Sequence, residues 1–151
     1  MEPFPFTEAE WDAVKAAALP VLNASLADDP TLHDSCLIGL MDVLGGLRAR
    51  HGDHPVLLET QADFADDGPE RVALYRRAVA VAEAHGLPTL SIRLSLARLL
   101  LDANERGAAG AELLACAGEA PEGDESERAS WAELSAASKQ AEPDAAPHPA
   151  T

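Results

Sequence analysis

Hydrophobic residues recur at helical spacing along most of the chain, and polar or proline-containing breaks separate them into short segments. The segment after Pro88 is the most apolar. Residues 90–101 carry apolar side chains almost all round a helix, which predicts a helix covered by neighbours on several sides. A polar break, DANERG, follows, and a second short apolar helix is predicted over residues 107–117. We expect these two helices to form a hairpin in the middle of a helical stack.

The first helix has a clear start signal. Thr7 is placed to cap the first amides, Glu10 to complete a capping box, and Phe6 to pack on Trp11 as a hydrophobic staple. Pro20 interrupts the helix pattern and predicts a kink or two short helices. The apolar positions are predicted to form one buried face: Trp11, Val14, Ala18, Val21, Leu22 and Leu26.

The second helix is predicted from Pro30, behind an Asp29 cap, to His51, and Gly52 ends it. Its predicted core stripe is Leu37, Leu40, Leu44 and Leu47. Three glycines inside it, at 39, 45 and 46, each cost about 1 kcal/mol relative to alanine. Close helix packing within the chain, or fraying of the C-terminal half, is the favoured explanation. The alternative is a surface that another backbone approaches, such as a second copy packed across a two-fold axis.

Four more segments complete the predicted domain. A third helix is expected from Pro55 through Ala65, and a fourth over residues 70–85. Asp124 or Ser126 is expected to cap a seventh helix that ends near Lys139 and covers the open end of the stack. Residues 1–139 are therefore predicted to form a single domain, and residues 140–151, rich in proline and alanine, a disordered tail. The fourth helix has a predicted buried stripe: Val72, Tyr75, Ala78, Val79 and Ala82.

The hairpin after Pro88 resembles the tetratricopeptide repeat. The resemblance lies in the spacing of large and small residues and a closing proline: Leu96, Ala97, Leu100, Ala109, Leu113, Cys116 and Pro121. Arg93 stands where that family usually has tryptophan. The resemblance covers about 34 residues well, and Tyr75 and Ala78 match the second helix of a further repeat. It implies an all-α fold, a short right-handed array of antiparallel helical hairpins with a C-terminal capping helix.

Composition agrees with an all-α class and excludes some classes of binding partner. The net charge is −15, with 26 acidic and 11 basic residues, and aromatic residues are only 4% of the chain. Such a charge repels nucleic acid and anionic membranes. No apolar run reaches the roughly 18 residues of a membrane span, and no signal peptide is apparent, so a cytoplasmic protein is expected. Cys36 and Cys116 are expected to be buried, small apolar side chains.

No catalytic motif is present, and we expect neither enzymatic activity nor a cofactor. The strongest candidate for a metal site is the loop segment HGDHP, in which His51 and His54 flank Asp53. The two histidines lie on either side of a helix end, and no further histidine or cysteine follows at ligand spacing. We therefore predict structural roles for these three residues and no metal site.

The candidate binding site follows from the repeat geometry. In tetratricopeptide-like stacks the first helix of each hairpin lines a concave groove that holds a peptide or a partner helix. Aligning Ala62 with Ala97 places two polar sets at the groove, each following i, i+4, i+7 spacing: Val56, Thr60 and Asp63 beside Ser91, Ser95 and Arg98. The predicted site comprises Thr60, Asp63, Ser95 and Arg98. The alternative is a plain surface salt bridge between Asp63 and Arg98.

Two functional hypotheses follow. The first is a non-enzymatic, tetratricopeptide-like adaptor that binds a protein or peptide, with a basic partner favoured by the charge. The second is an acidic immunity- or chaperone-like protein that neutralises a basic partner through its surface charge. Salt discriminates between them, because a charge-driven complex weakens steeply as ionic strength rises. Homo-oligomerisation is a further hypothesis that either function allows.

Overall fold

A computed structural model describes residues 1–140, which are helical and contain no β-strand. The all-α prediction is confirmed. Seven α-helices follow one another, with a short 3₁₀ turn at Ala120–Glu122 before the last: α1 (Glu8–Leu26), α2 (Pro30–His51), α3 (Pro55–Asp63), α4 (Pro69–Ala84), α5 (Leu90–Asp102), α6 (Arg106–Ala115) and α7 (Glu125–Lys139). Residues 141–151, which make up the predicted tail beyond Gln140, lie outside the described residues.

The predicted helix starts are confirmed where the capping chemistry is local. Thr7 accepts from the Glu10 amide at 3.1 Å, and Glu10 accepts from the Thr7 amide at 3.3 Å. Asp29 caps α2, and Asp124 forms a second capping box, with Glu127, at the start of α7. A cap of this kind is worth about 1 kcal/mol, because it satisfies amides that the helix itself leaves unbonded.

Pro20 does not divide the first segment into two helices. α1 continues through it from Glu8 to Leu26. Proline cannot donate the backbone hydrogen bond of an interior helical position. Continuity of α1 therefore depends on packing of the helix on either side, where Val14 and Val21 are buried.

The sequence prediction treats residues 1–139 as one domain, and within the structure the chain divides into two compact units. The first covers Met1–Ile92, and the second begins at Arg93, inside α5. In the first unit, α1 packs on α2 and α3 packs on α4. In the second unit, α6 packs on α7.

The core of the first unit follows most of the predicted apolar stripes. On α2, Leu40, Leu44 and Leu47 are buried and Leu37 is half-buried. On α4, Val72 is half-buried and the rest of the predicted stripe is buried: Tyr75, Ala78, Val79 and Ala82.

The N-terminal segment packs against the end of α2 through aromatic rings. Phe6 stacks on Trp11 with ring centroids 5.6 Å apart, as the staple prediction requires, and it meets His51 and His54 edge-on. His54 is 1% exposed. Its Nε2 lies 2.8 Å from the Glu2 carbonyl, and its Nδ1 accepts from the Val56 amide at the start of α3. This histidine thus joins the N-terminal segment to a helix start.

The second unit buries the small and large residues that carry the repeat resemblance. Ala97, Leu100, Ala109, Leu113 and Cys116 are all at most 2% exposed. The resemblance itself remains a prediction, because burial of these side chains does not identify a repeat.

Polar contacts tie the helices of the second unit together. Trp131 Nε1 donates to the Leu113 carbonyl at 2.9 Å, which joins α7 to α6. Arg93, 7% exposed, forms an ion pair with Glu112. A buried charge requires such a partner. The position at which the tetratricopeptide family has tryptophan therefore carries a paired charge in this chain.

The glycines of α2 do not serve close packing within the described chain. A Cβ built at Gly39, Gly45 or Gly46 would meet no neighbouring atom within 4 Å, and the helix continues to His51 without fraying. Both parts of the favoured sequence explanation are therefore wrong. All three positions face open space.

Candidate functional site

The four predicted site residues divide between the two units. Thr60 and Asp63 lie on α3 in the first unit, and Ser95 and Arg98 lie on α5 in the second. Ser95 is half-buried, and Arg98 is exposed. Thr60 directs its hydroxyl to its own helix, because Oγ1 donates to the Val56 carbonyl at 2.7 Å. The groove that would join these residues remains a prediction.

Asp63 has a partner that sequence reasoning missed. The Tyr75 hydroxyl donates to Asp63 Oδ1 at 2.5 Å, from α4 to α3. Asp63 is exposed as a residue, but partial burial of its carboxyl raises its pKa, against the hydrogen bond from Tyr75 and the charge of Arg71. Burial and Asp63 together raise the pKa of Tyr75 to about 12. A buried tyrosine hydroxyl usually finds a partner, and the predicted burial of Tyr75 was the signal for this pair.

Val56 and Ser91, the first residues of the two predicted polar sets, both belong to the first unit. Val56 and Ser91 line the same small cleft, about 160 Å³ in volume, between the start of α3 and the first turn of α5. Ser91 Oγ lies 3.4 Å from Glu59 Oε2, which is a weak hydrogen bond. The cleft also includes Pro3 and His54. Its volume is below the 300–1,000 Å³ of typical small-molecule sites.

The histidine loop after α2 is held by contacts within the protein. His51 Nε2 lies 2.9 Å from Glu10 Oε2, and His54 bridges Glu2 and Val56. The side chains of His51, Asp53 and His54 thus have separate protein partners.

Asp53 is the centre of an ion-pair network that joins three elements. Arg48, near the end of α2, donates to Asp53 Oδ1 from Nε at 2.9 Å and from Nη2 at 2.7 Å, while Arg77 of α4 pairs with Oδ2. Arg48 also donates to Gln61 of α3 at 3.2 Å. The hydrogen bonds from Arg48, opposed by partial burial and aided by the charge of Arg77, hold the pKa of Asp53 below its usual range.

One face of α1 is apolar and exposed. Leu19, Leu22 and Leu26 are 58%, 50% and 88% exposed. We call these three residues the leucine stripe. The prediction that Leu22 and Leu26 belong to the buried face is wrong. They are one and five positions after the buried Val21, a rotation of roughly 100–140° around the helix axis.

Aspartates surround a surface depression at the C-terminal end of α1. The depression has a volume of about 310 Å³ and is lined by Ala24, Ser25, Asp28, Asp29, Pro30, His33, Asp34 and Asp66. Asp29 is engaged as the cap of α2, while Asp28, Asp34 and Asp66 are exposed. We call the hollow lined by these eight residues the acidic depression. It begins where the leucine stripe ends, because Leu26 lies between Ser25 and Asp28 in the chain.

The two cysteines are free thiols, and Cys116 is fully buried as predicted, while Cys36 is half-buried. Burial raises the pKa of the Cys116 thiol, against the nearby charge of Arg93, so its reactive thiolate is disfavoured.

Among residues 1–140, no three His, Cys, Asp or Glu side chains converge on a point that would suit a metal ion. Within the same range, none of the helices combines the length and the apolar character that a membrane crossing requires. No protein-family model, curated protein or solved structure matches this chain.

Proposed function

We propose that this chain is a non-enzymatic module that binds another protein, and that the leucine stripe is part of its binding surface. The stripe carries the proposal, because it leaves three leucines of one helix at least half exposed on the same side. Covering one leucine fully is worth about 1.5–3 kcal/mol. Contiguous apolar surface of this kind, unlike a single exposed leucine, is typical of interaction sites.

Three titratable side chains that sequence reasoning considered for a site connect elements of the fold instead. His51, Asp53 and Asp63 each have a protein partner at hydrogen-bonding distance. Their shared function is to connect helices to one another.

The proposed architecture is a short tetratricopeptide-like array. The packing of α1 on α2 and of α3 on α4 supports it, because consecutive helices form pairs in the first unit. Thr60, Asp63, Ser95 and Arg98 stay the residues that the repeat resemblance implies for partner binding. Arg98→Glu tests it: if the groove binds, the charge reversal reduces partner recovery, and unchanged recovery removes this site.

Affinity capture from a lysate of the source cells tests the proposed function. The full chain, Leu22→Gln and Leu114→Gln are immobilised, and retained proteins are quantified by mass spectrometry. Leu114 provides the control, because it is 77% exposed on α6, outside the stripe. We expect at least one protein to be retained by the unmodified chain and by Leu114→Gln but lost with Leu22→Gln. Identical sets of retained proteins on all three would contradict the proposal.

The alternative function is charge neutralisation of a basic partner, supported by the acidic depression and the net charge of −15. A complex of that kind loses most of its affinity between low and physiological ionic strength, since the Debye length falls to about 8 Å at 0.15 M. A complex held by the leucines alone changes little over the same range. Measuring the affinity of the captured partner at both salt concentrations distinguishes the two.

A further inference from the structure

We infer that the leucine stripe and the adjoining acidic depression together bind one kind of ligand, a basic amphipathic helix of a partner protein. This inference rests on the proposed function and specifies its partner. It combines two features of the first unit that meet in the chain at the C-terminal end of α1, an apolar row and a carboxylate-lined hollow.

The spacing of the leucine stripe suits a helical ligand. Leu19, Leu22 and Leu26 follow i, i+3, i+7 spacing, so they form a single row about 10 Å long on one side of α1. An amphipathic helix presents apolar side chains in rows of the same period and length. Helices commonly bind protein surfaces by inserting such anchors at i, i+3 or i+4, and i+7.

The charges around the stripe select a basic helix. At its C-terminal end, Asp28 and Asp66 face solvent around the depression, and Asp34 Oδ1 lies 3.5 Å from His33 Nδ1. Toward the N-terminus of α1, Lys15 pairs with Asp12 at 2.9 Å, so this lysine adds no net charge to that end of the stripe. Lysine or arginine beside the apolar anchors of a ligand helix would therefore meet the carboxylates of Asp28 and Asp66.

The same charges disfavour a second copy of this chain as the occupant. Each copy carries a net charge of −15, and pairing two stripes would bring two sets of aspartates together. Like charges in close juxtaposition oppose association.

Fluorescence anisotropy with synthetic peptides tests the inference. The probe is a labelled helical peptide with a row of leucines at i, i+3, i+4 and i+7 and lysines on both flanks. One control peptide has the same composition with the leucines dispersed around the helix, and another has glutamates in place of the lysines. At an ionic strength of about 0.15 M, we expect the probe to bind at least tenfold more tightly than either control.

Variants of the full chain localise the binding. Leu19→Gln with Leu22→Gln is expected to weaken probe binding about tenfold or more, as loss of central apolar anchors does, and Leu114→Gln is expected to leave it unchanged. A triple variant, Asp28→Asn, Asp34→Asn and Asp66→Asn, is expected to weaken binding of the lysine probe. The ratio of its affinity to that of the glutamate peptide is therefore expected to fall. Circular dichroism verifies that each variant remains helical.

Three outcomes would overturn the inference. They are equal binding of the probe and the dispersed-leucine peptide, an unchanged affinity of the double leucine variant, and a dimer detected by analytical ultracentrifugation that is lost with Leu22→Gln. If capture from lysate depends on Leu22 while the lysine probe fails to bind, the partner chemistry is wrong and the binding function stands. If neither depends on Leu22, the proposed function fails as well.

Discussion

Tyr75 is the only tyrosine of the chain, and its hydroxyl donates to Asp63 across the α3–α4 pair. Sequence patterning predicts the burial of Tyr75, since it lies in the apolar stripe of α4. It does not predict the partner, because the hydroxyl and the carboxylate are 12 positions apart and meet only once two helices pack. The groove prediction assigned Asp63 to partner binding, whereas its carboxyl has an internal contact.

The Tyr75–Asp63 pair predicts an unusual titration. Ultraviolet absorbance of tyrosinate is expected to give a pKa of about 12 in the folded protein, against an ordinary value of 10.0. Because the folded chain holds the proton more tightly, the contribution of this group to stability is complete below pH 10 and is lost as the pH rises toward 12. Asp63→Asn is expected to lower the pKa of Tyr75, while Asp12→Asn, with the same charge change on α1, is not. A wild-type value near 10 would contradict the pair.

The contribution of Asp53 to stability is expected to change with pH in the opposite direction, and in the acid range. Asp53→Asn is expected to reduce the free energy of unfolding in urea by about 1 kcal/mol at neutral pH, since both arginine contacts are weakened. The pKa of Asp53 is lower in the folded protein, so its contribution is present above the unfolded-state value of about 3.9 and is lost as the pH falls below it. The difference from the unmodified chain should therefore vanish in acid. A difference that persists there would indicate a packing effect of the substitution.

At the scale of the helices, local signals predicted the boundaries well and the packed faces less well. Thr7 and Asp29 were predicted as caps from residues within one turn, and the structure confirms both. Of the two candidates for the last helix, Asp124 and Ser126, Asp124 is the cap. Leu22 and Leu26 were assigned to the core because their spacing continues the pattern from Val14 and Val21. Periodicity identifies apolar rows, but which row is covered depends on where the neighbouring helix lies. Only the fold reveals that α1 keeps a second, exposed row.

The glycines of α2 give a matched prediction on helix stability. Gly46→Ala is expected to raise the free energy of unfolding by about 0.5–1 kcal/mol, because alanine is the better helix former and its Cβ meets no atom within 4 Å. Gly52→Ala, at the end of the same helix, is expected to lower it by about 1–3 kcal/mol. Gly52 has φ of 73° and ψ of −167°, a region that side chains rarely adopt.

Urea unfolding of the two glycine variants measures both effects. A loss of stability in Gly46→Ala would show that the added methyl group meets an obstacle, contrary to the open surroundings of that position. Equal effects of the two substitutions would mean that backbone conformation at Gly52 does not determine its residue type.

At the scale of the whole molecule, the net charge of −15 is the feature that acts over the longest distance. Composition alone gave the all-α class and this charge. Neither composition nor pattern gave the division at Arg93, because α5 is a continuous helix on both sides of it. The packing of the helices, and not a break in the helix pattern, separates the two units.

Self-repulsion predicts that salt stabilises the protein. Raising the ionic strength from about 0.01 to 0.15 M shortens the Debye length from about 30 to 8 Å, which screens the excess negative charge. We expect the urea midpoint to rise. Asp53→Asn removes the Arg48 and Arg77 ion pairs, and it is expected to preserve or enlarge the rise. A falling midpoint would mean that attractive ion pairs outweigh the repulsion.

The chain has two tryptophans, and the fold distributes them one to each unit. Trp11 stacks on Phe6 in the first, and Trp131 is bonded to a backbone carbonyl in the second. Replacing either tryptophan by phenylalanine leaves one tryptophan, whose fluorescence then reports on one unit only. Stopped-flow emission from the two versions would then reveal whether the units lose their structure together or in sequence, without any attached dye.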